Sequence, residues 1–169
     1  MRVLIKHDEI VQMCRNLGEE LSLKYKEKEP IVVCVLKGSG PFHAELIKHM
    51  DIPLVVDYLQ VSSYSGTAST GKLTFKKDLD MDIKGRDVIV VEDIVDSGLT
   101  LSKLKEVLES REPNSLTFVT LLDKPSGRKV KFQPDYACQI IDDLFVIGFG
   151  LDLDEKYRNL KDIYVYNQD

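Results

Sequence analysis

The stretch VIVVEDIVDSGLT, from Val88 to Thr100, limits the fold of this chain more than any other segment. Asp87 to Val91 reads as a strand, and its unbroken apolar run suits a sheet covered on both faces rather than one with a wet side. Two acids, Glu92 and Asp93, end the run, Asp96 follows, and Ser97-Gly98 precedes a helical pattern in which Leu101, Leu104, Val107 and Leu108 mark the inner face. A buried strand that turns straight into a helix is half of a βαβ unit, so the expected class is α/β.

The rest of the chain repeats the alternation. Ile10, Met13, Cys14, Leu17, Leu21 and Tyr25 recur at helical spacing, which predicts one amphipathic helix from His7 to about Lys28. IVVCVL, Ile31 to Leu36, is a buried strand that feeds a Lys37-Gly38-Ser39-Gly40 turn and a helix from Pro41 to Met50. LVVDYLQV after Pro53 is β-rich and gives way at Ser62 to a Ser, Thr and Gly stretch ending near Lys72, read as a mobile loop. Further β-rich runs lie at Leu116 to Leu122, Tyr136 to Ile141, Phe145 to Ile147 and Ile163 to Tyr166. The expectation is a mostly parallel central sheet flanked by helices. With 169 residues and no linker or repeat, a single domain over 1–169 is predicted.

Charge and composition narrow the partners. The net charge of −5 disfavours nucleic acid without a local basic patch, and no 18-residue apolar run exists to span a bilayer. Neither nucleic acid nor membrane is expected as a partner. The N-terminus lacks the apolar stretch of a secretory signal, so a cytoplasmic location is the expectation. Cys14, Cys34 and Cys138 are odd in number and lack CxxC spacing, which argues against a disulfide scaffold or zinc site.

In an open parallel sheet ligands gather at the carboxyl ends of the strands, where Glu92, Asp93 and Asp96 stand together. The following turn offers successive backbone N–H groups, a close approach at Gly98, and the hydroxyls of Ser97 and Thr100 at the positive end of a helix. That combination cradles a phosphate. Acids beside it require a ligand with hydroxyls to donate, or a divalent cation, and a sugar phosphate meets both needs. Helix capping accounts for Asp96 or Ser97 singly, but poorly for the whole set.

VVEDIVDSGLTL closely resembles the phosphoribosyl pyrophosphate signature of type I phosphoribosyltransferases, in the version found in hypoxanthine-guanine phosphoribosyltransferases. VLKGSG (Val35 to Gly40), Ser63-Tyr64, LLDKP (Leu121 to Pro125) and FVIGFGLDLDEKYRNL (Phe145 to Leu160) extend the resemblance over essentially the whole chain. The resemblance implies that family's fold, with a flexible loop and a small C-terminal hood. It implies a transferase of purine salvage that joins hypoxanthine or guanine at N9 to phosphoribosyl pyrophosphate, giving IMP or GMP with Mg²⁺ as cofactor.

Residue by residue, the resemblance assigns Glu92 and Asp93 to the ribose hydroxyls and the metal, and Asp96, Ser97, Gly98, Leu99 and Thr100 to the 5′-phosphate loop. Asp96 is in addition the general base near N7 of the purine. Lys37 and Gly38 contact pyrophosphate, in a loop where relatives carry a non-proline cis peptide, and Arg158 holds pyrophosphate too. Lys124 donates to O6, Phe145 stacks on the base, Val146 reads its edge through the backbone, and Asp152 approaches both the base and, through water, the metal. Ser63 and Tyr64 belong to the closing loop. A homodimer or homotetramer is implied. Leu99 is a departure, since many animal relatives carry lysine there.

Three patterns are rejected. GTASTGKL (Gly66 to Leu73) nearly matches a P-loop, but Leu73 replaces the magnesium-binding hydroxyl. Asp78, Asp80 and Asp82 suggest a calcium loop, but Ile83 stands where Gly is needed. His7, His43 and His49 are scattered, without ligand spacing. Two rival functions remain at this level: an RNA-binding regulator on the same scaffold, and the same chemistry on xanthine or a pyrimidine.

Overall fold

The computed structural model describes residues 1–63 and 72–167. Six strands form the main sheet: β2 (Ile31–Val35), β3 (Val55–Ser63), β4 (Leu73–Lys77), β5 (Asp87–Val95), β6 (Ser115–Asp123) and β7 (Tyr136–Ile140). Their spatial order is β4-β3-β2-β5-β6-β7; only the β3–β4 pair is antiparallel. The sheet is therefore mostly parallel, as the apolar runs predict.

Side-chain alternation divides the core into two layers. Ile31, Val33 and Val35 of β2 and Val88 and Val90 of β5 pack with Leu101, Leu104 and Leu108 of helix α3 (Leu99–Glu109). Val32, Ile89 and Val91 face the other way, onto Ile10, Cys14, Leu17 and Leu21 of α1 (His7–Lys24) and Phe42 and Leu46 of α2 (Gly40–Ile47). Burial on both faces is what lets these strands be continuously apolar. Val107, expected on the inner face of α3, is only half-buried.

α1 stops at Lys24 rather than near Lys28. Tyr25 is buried and its hydroxyl bonds to that of Thr117 on β6, while Glu27 and Glu29 adopt left-handed backbone angles (φ 63° and 47°) that no helix continues. Two further strands, β8 (Val146–Ile147) and β9 (Ile163–Val165), form a separate antiparallel sheet with an N-terminal strand, β1 (Arg2–Ile5), in the order β1-β9-β8. The hood expected from the C-terminal residues thus takes an edge strand from the chain's other end. Ile5, Val146, Phe149, Ile163 and Val165 join the α1/α2 core, which fixes the hood over the carboxyl ends of the main strands.

The rejected calcium-like acids are occupied elsewhere: Asp78 receives both Arg111 nitrogens at 2.8 and 2.7 Å, Lys77 reaches Asp80 at 3.2 Å, and Asp82 accepts from the Lys84 N–H. No helix among the described residues is long and apolar enough to cross a membrane.

Candidate active site

β5 runs four residues beyond the expected Val91. Val91 and Ile94 both face the α1/α2 core while Val90 and Val95 face α3, so the alternation slips by one at Glu92-Asp93. At that slip the Asp93 N–H donates to Glu92 Oε1 (2.9 Å) and the Ile94 N–H to Asp93 Oδ1 (2.7 Å). The two acids satisfy their own strand end and lie side by side. Withdrawal from water, and then the neighbouring Asp93 carboxylate, push the Glu92 carboxyl well above its ordinary pKa; burial likewise raises Asp93, with the Arg158 charge among the forces pulling it down. Two carboxyls that resist ionisation and lack full counter-charge result.

Gly38, in the turn after β2, packs directly on the Asp93 carboxylate, so any side chain at this position would collide with it. The non-proline cis peptide lies between Leu36 and Lys37, immediately before the Lys37-Gly38 pair. A cavity of about 270 Å³ opens at these strand ends, and its lining includes Leu36, Gly38, Glu92, Asp93, Asp96, Ser97, Gly98 and Thr100. Gly98 has φ 77°, and a side chain there would sit 3.1 Å from Phe132 Cβ, so glycine is needed for both the turn and the close packing. The first amides of α3 have no intrahelical acceptor, and the Leu99 N–H meets Ser97 Oγ at 3.3 Å. Leu99 is absent from the cavity lining and is 45% exposed.

Asp96 leans over Gly127, whose missing side chain makes room for the carboxylate. Its Oδ2 lies 3.2 Å from Lys124 Nζ. Lys124 is buried apart from a small fraction of its surface, and its ammonium meets Asp143 Oδ1 (3.2 Å) and the Leu144 carbonyl (3.3 Å) as well. A carboxylate and an ammonium fixed side by side can accept from one atom and donate to the next. Phe145 follows Leu144 with its ring half exposed, propped edge-on by Tyr166 at a centroid distance of 6.2 Å. Val146 is buried on β8, opposite Val165.

On the hood, Arg158 donates to the Gly150 carbonyl (2.8 Å) and approaches Asp152 (3.3 Å) and Glu155 (2.9 Å); Lys37 reaches the same Glu155 at 2.6 Å. These two cations draw the Glu155 carboxyl below its usual range, Lys37 contributing most. Gly150, at φ 98°, touches the Gly38 carbonyl, joining the hood to the turn after β2. Lys37, Lys124, Phe145, Val146, Asp152 and Arg158 are not among the residues that line the cavity. Among the described residues no three acidic, histidine or cysteine side chains form a metal cage, so Glu92, Asp93 and Asp152 do not converge as one. Asp152 is drawn instead to Arg158 and to the Glu155 N–H (2.9 Å). Tyr64 and the loop through residue 71 lie outside the described residues, as does the Ser63 side chain.

Three residues central to this geometry are given no role by the sequence, although Asp123 falls within LLDKP. Arg128 donates from Nη1 to the carbonyls of Val95, Asp96 and Lys124, from Nε to Phe132, and from Nη2 to Asp123 Oδ1 at 2.6 Å. Asp123 is buried, with Oδ2 lacking a partner. This pair ties the loop bearing Asp96 to the strand end bearing Lys124. Asp143, the third, belongs to a loop with no distinguishing pattern. A lone basic residue five positions from an acid is common on any surface, so only the structure separates Arg128 from the other cations.

Known proteins share the sequence and fold of this chain. Residues 4–155 match the phosphoribosyl transferase domain family. The chain is 48% identical over 169 residues to the hypoxanthine-guanine phosphoribosyltransferase of Streptococcus pneumoniae R6, covering 99% of this chain and 94% of that protein. A hypoxanthine phosphoribosyltransferase structure from Staphylococcus aureus superposes with TM-score 0.95 at 43% identity, covering 99% of this chain and 91% of that one. A hypoxanthine-guanine phosphoribosyltransferase structure from Bacillus anthracis, with HEPES in its active site, gives 0.94 at 41% identity and 99% coverage of both. With this breadth of sequence and structural agreement, the chain belongs to the phosphoribosyltransferase family.

Proposed function

We propose that this chain transfers the 5-phosphoribosyl group of phosphoribosyl pyrophosphate to N9 of hypoxanthine or guanine, forming IMP or GMP and pyrophosphate with the help of Mg²⁺. The observation that carries the reading is the 3.2 Å pairing of Asp96 with the buried Lys124, directly beside the phosphate cradle. A 6-oxopurine presents N7 and O6 as neighbours on one edge. A carboxylate and an ammonium side by side match that edge when the carboxylate takes a proton at N7 and the ammonium donates to O6.

The donor's 5′-phosphate lies against the Ser97 and Thr100 hydroxyls and the backbone N–H groups of Gly98, Leu99 and Thr100. Glu92 and Asp93 accept from the ribose hydroxyls. Phe145 stacks on the purine and Val146 reads its edge through the backbone. As the bond at the anomeric carbon breaks, Lys37, the Gly38 amide and Arg158 hold the departing pyrophosphate, and Asp96 receives the proton lost from the base as N9 attacks. The residues present fit a magnesium ion: Glu92 and Asp93 are an undercompensated carboxylate pair, and Mg²⁺ ordinarily takes one or two carboxylates with substrate and water oxygens. Glu92 and Asp93 would hold it, Asp152 through water, and when bound it supplies charge neutralisation to the leaving group. Ser63 and Tyr64 belong to the segment that covers the site and excludes water. The chain works as one domain, in a homodimer or homotetramer.

The test is nucleotide formation from phosphoribosyl pyrophosphate with hypoxanthine, guanine, xanthine, adenine and uracil in turn, with magnesium present and chelated. Magnesium-dependent product from hypoxanthine or guanine is expected. Product from uracil alone, or from no base, contradicts the proposal.

A further inference from the structure

Glu155 has no part in the reaction set out above, yet its carboxylate bridges the two cations assigned to the leaving group. Oε2 lies 2.6 Å from Lys37 Nζ and Oε1 lies 2.9 Å from Arg158 Nη2, so the two oxygens are divided between the cations. A pyrophosphate would divide its oxygens in the same way.

The position is built into the backbone. Asp154, Glu155 and Tyr157 have φ of 52°, 68° and 76°, angles that L-residues avoid. The turn is pinned by the Glu155 N–H donating to Asp152 Oδ2 at 2.9 Å and by reciprocal backbone bonds between Leu153 and Lys156 at 3.1 and 3.0 Å. Strain of this kind persists where its surroundings over-determine it, and it clusters at working sites. Arg158 is fixed by the Gly150 carbonyl and Asp152, while its Nε is buried without a partner, so part of its donor capacity is unspent. The Lys37 and Glu155 side chains are 56% and 64% exposed, so their pair is open to exchange with a ligand from solution.

We propose that Glu155 is an internal stand-in for pyrophosphate, a competitor that occupies Lys37 and Arg158 between turnovers, yields them to the donor, and reclaims them as pyrophosphate leaves. The inference rests on the reading of Lys37 and Arg158 as pyrophosphate-binding. Its consequence is a particular sign. A residue that merely supports the cations loses ligand affinity when removed, whereas a competitor for them gains it.

The experiment is calorimetric titration of the full chain with inorganic pyrophosphate and magnesium, comparing wild type with Glu155→Gln, Glu155→Ala and Lys37→Ala, and with IMP as a second ligand. Exposed ion pairs are individually weak, so both Glu155 variants are expected to bind pyrophosphate about two- to tenfold more tightly, with IMP affinity unchanged. Unchanged or weaker pyrophosphate binding in both overturns the proposal, as does an equal gain for IMP. Lys37→Ala separates the two levels. If it weakens pyrophosphate while the Glu155 variants show no gain, only the role of Glu155 falls; if it leaves pyrophosphate unaffected, the leaving-group assignment falls as well.

Discussion

The cradle from Glu92 to Thr100 and the hood from Phe145 to Arg158 face each other, but they are built on opposite principles. The cradle is contiguous: one strand end, one turn and one helix start place its acids, hydroxyls and amides, and β2 and β6 flank β5 on both sides. The hood is assembled from afar. Val146 and Arg2 both pair with Val165, and the segment to Arg158 contains left-handed Phe149, Asp154, Glu155 and Tyr157 held by side-chain and backbone bonds. The difference follows the ligand. Under the proposed function a phosphate on a sugar is met by local backbone geometry, whereas base choice and leaving-group release are assigned to side chains brought together over long distances.

Variants on the two sides can break or sharpen that contrast. The largest effect is expected at the seam, from Asp96→Asn, which removes the proposed proton acceptor while keeping the size and packing over Gly127. Its kcat should fall about 10²- to 10⁴-fold with donor affinity little changed, as followed by steady-state turnover and donor titration. Unchanged turnover would remove Asp96 as base.

Next, Lys124→Ala should raise the KM for the purine about 10- to 100-fold, the range of a charge-assisted hydrogen bond, and the KM for the donor much less. Equal losses for both substrates would place Lys124 in the scaffold rather than in base recognition.

Gly150→Ala tests the join between hood and cradle. A methyl group must approach the Gly38 carbonyl from a φ of 98°, so a destabilisation of about 1–3 kcal/mol is expected by denaturant unfolding. An unshifted unfolding midpoint would mean that the hood does not depend on that contact.

The smallest effect concerns stability and pH. Glu92 has a folded-state pKa above its unfolded value, so the folded state binds its proton more tightly, and this group's contribution improves as pH falls through that folded pKa. Above it the buried charge is a cost. Glu92→Gln should therefore raise the melting temperature by about a few degrees at pH 8, and the gain over wild type should shrink on acidification. The same variant should bind the donor less well. A variant less stable at pH 8 would contradict the assigned burden of charge.

The sheet and helices were legible because their apolar runs have the length and period of the elements they form. Ile31 to Leu36 and Leu116 to Leu122 match β2 and β6 within a residue or two. The cradle was legible for the same reason, its ligands being local. β1 was not: four residues with one buried member carry no period, and the partner strand lies at the far end of the chain. Nor was the burial of Lys124, since its wrapping by Asp96 on one side and by Asp143 and Leu144 on the other depends on two loops far apart in sequence. Arg128 and Asp123 were hidden likewise, because their value lies in which carbonyls they gather. The closing loop with Tyr64 was an expectation that falls outside the described residues.

The central claim is that Asp96 and Lys124 together read the N7 and O6 edge of a 6-oxopurine. It is tested most directly by comparing kcat/KM of the wild-type chain for hypoxanthine and for adenine, which differ at that edge by an oxo against an amino group. The Lys124 ammonium gains no acceptor from an amino group and instead faces a second donor, so adenine should be used at least about 10³-fold less efficiently. Comparable efficiencies for the two bases would contradict the claim.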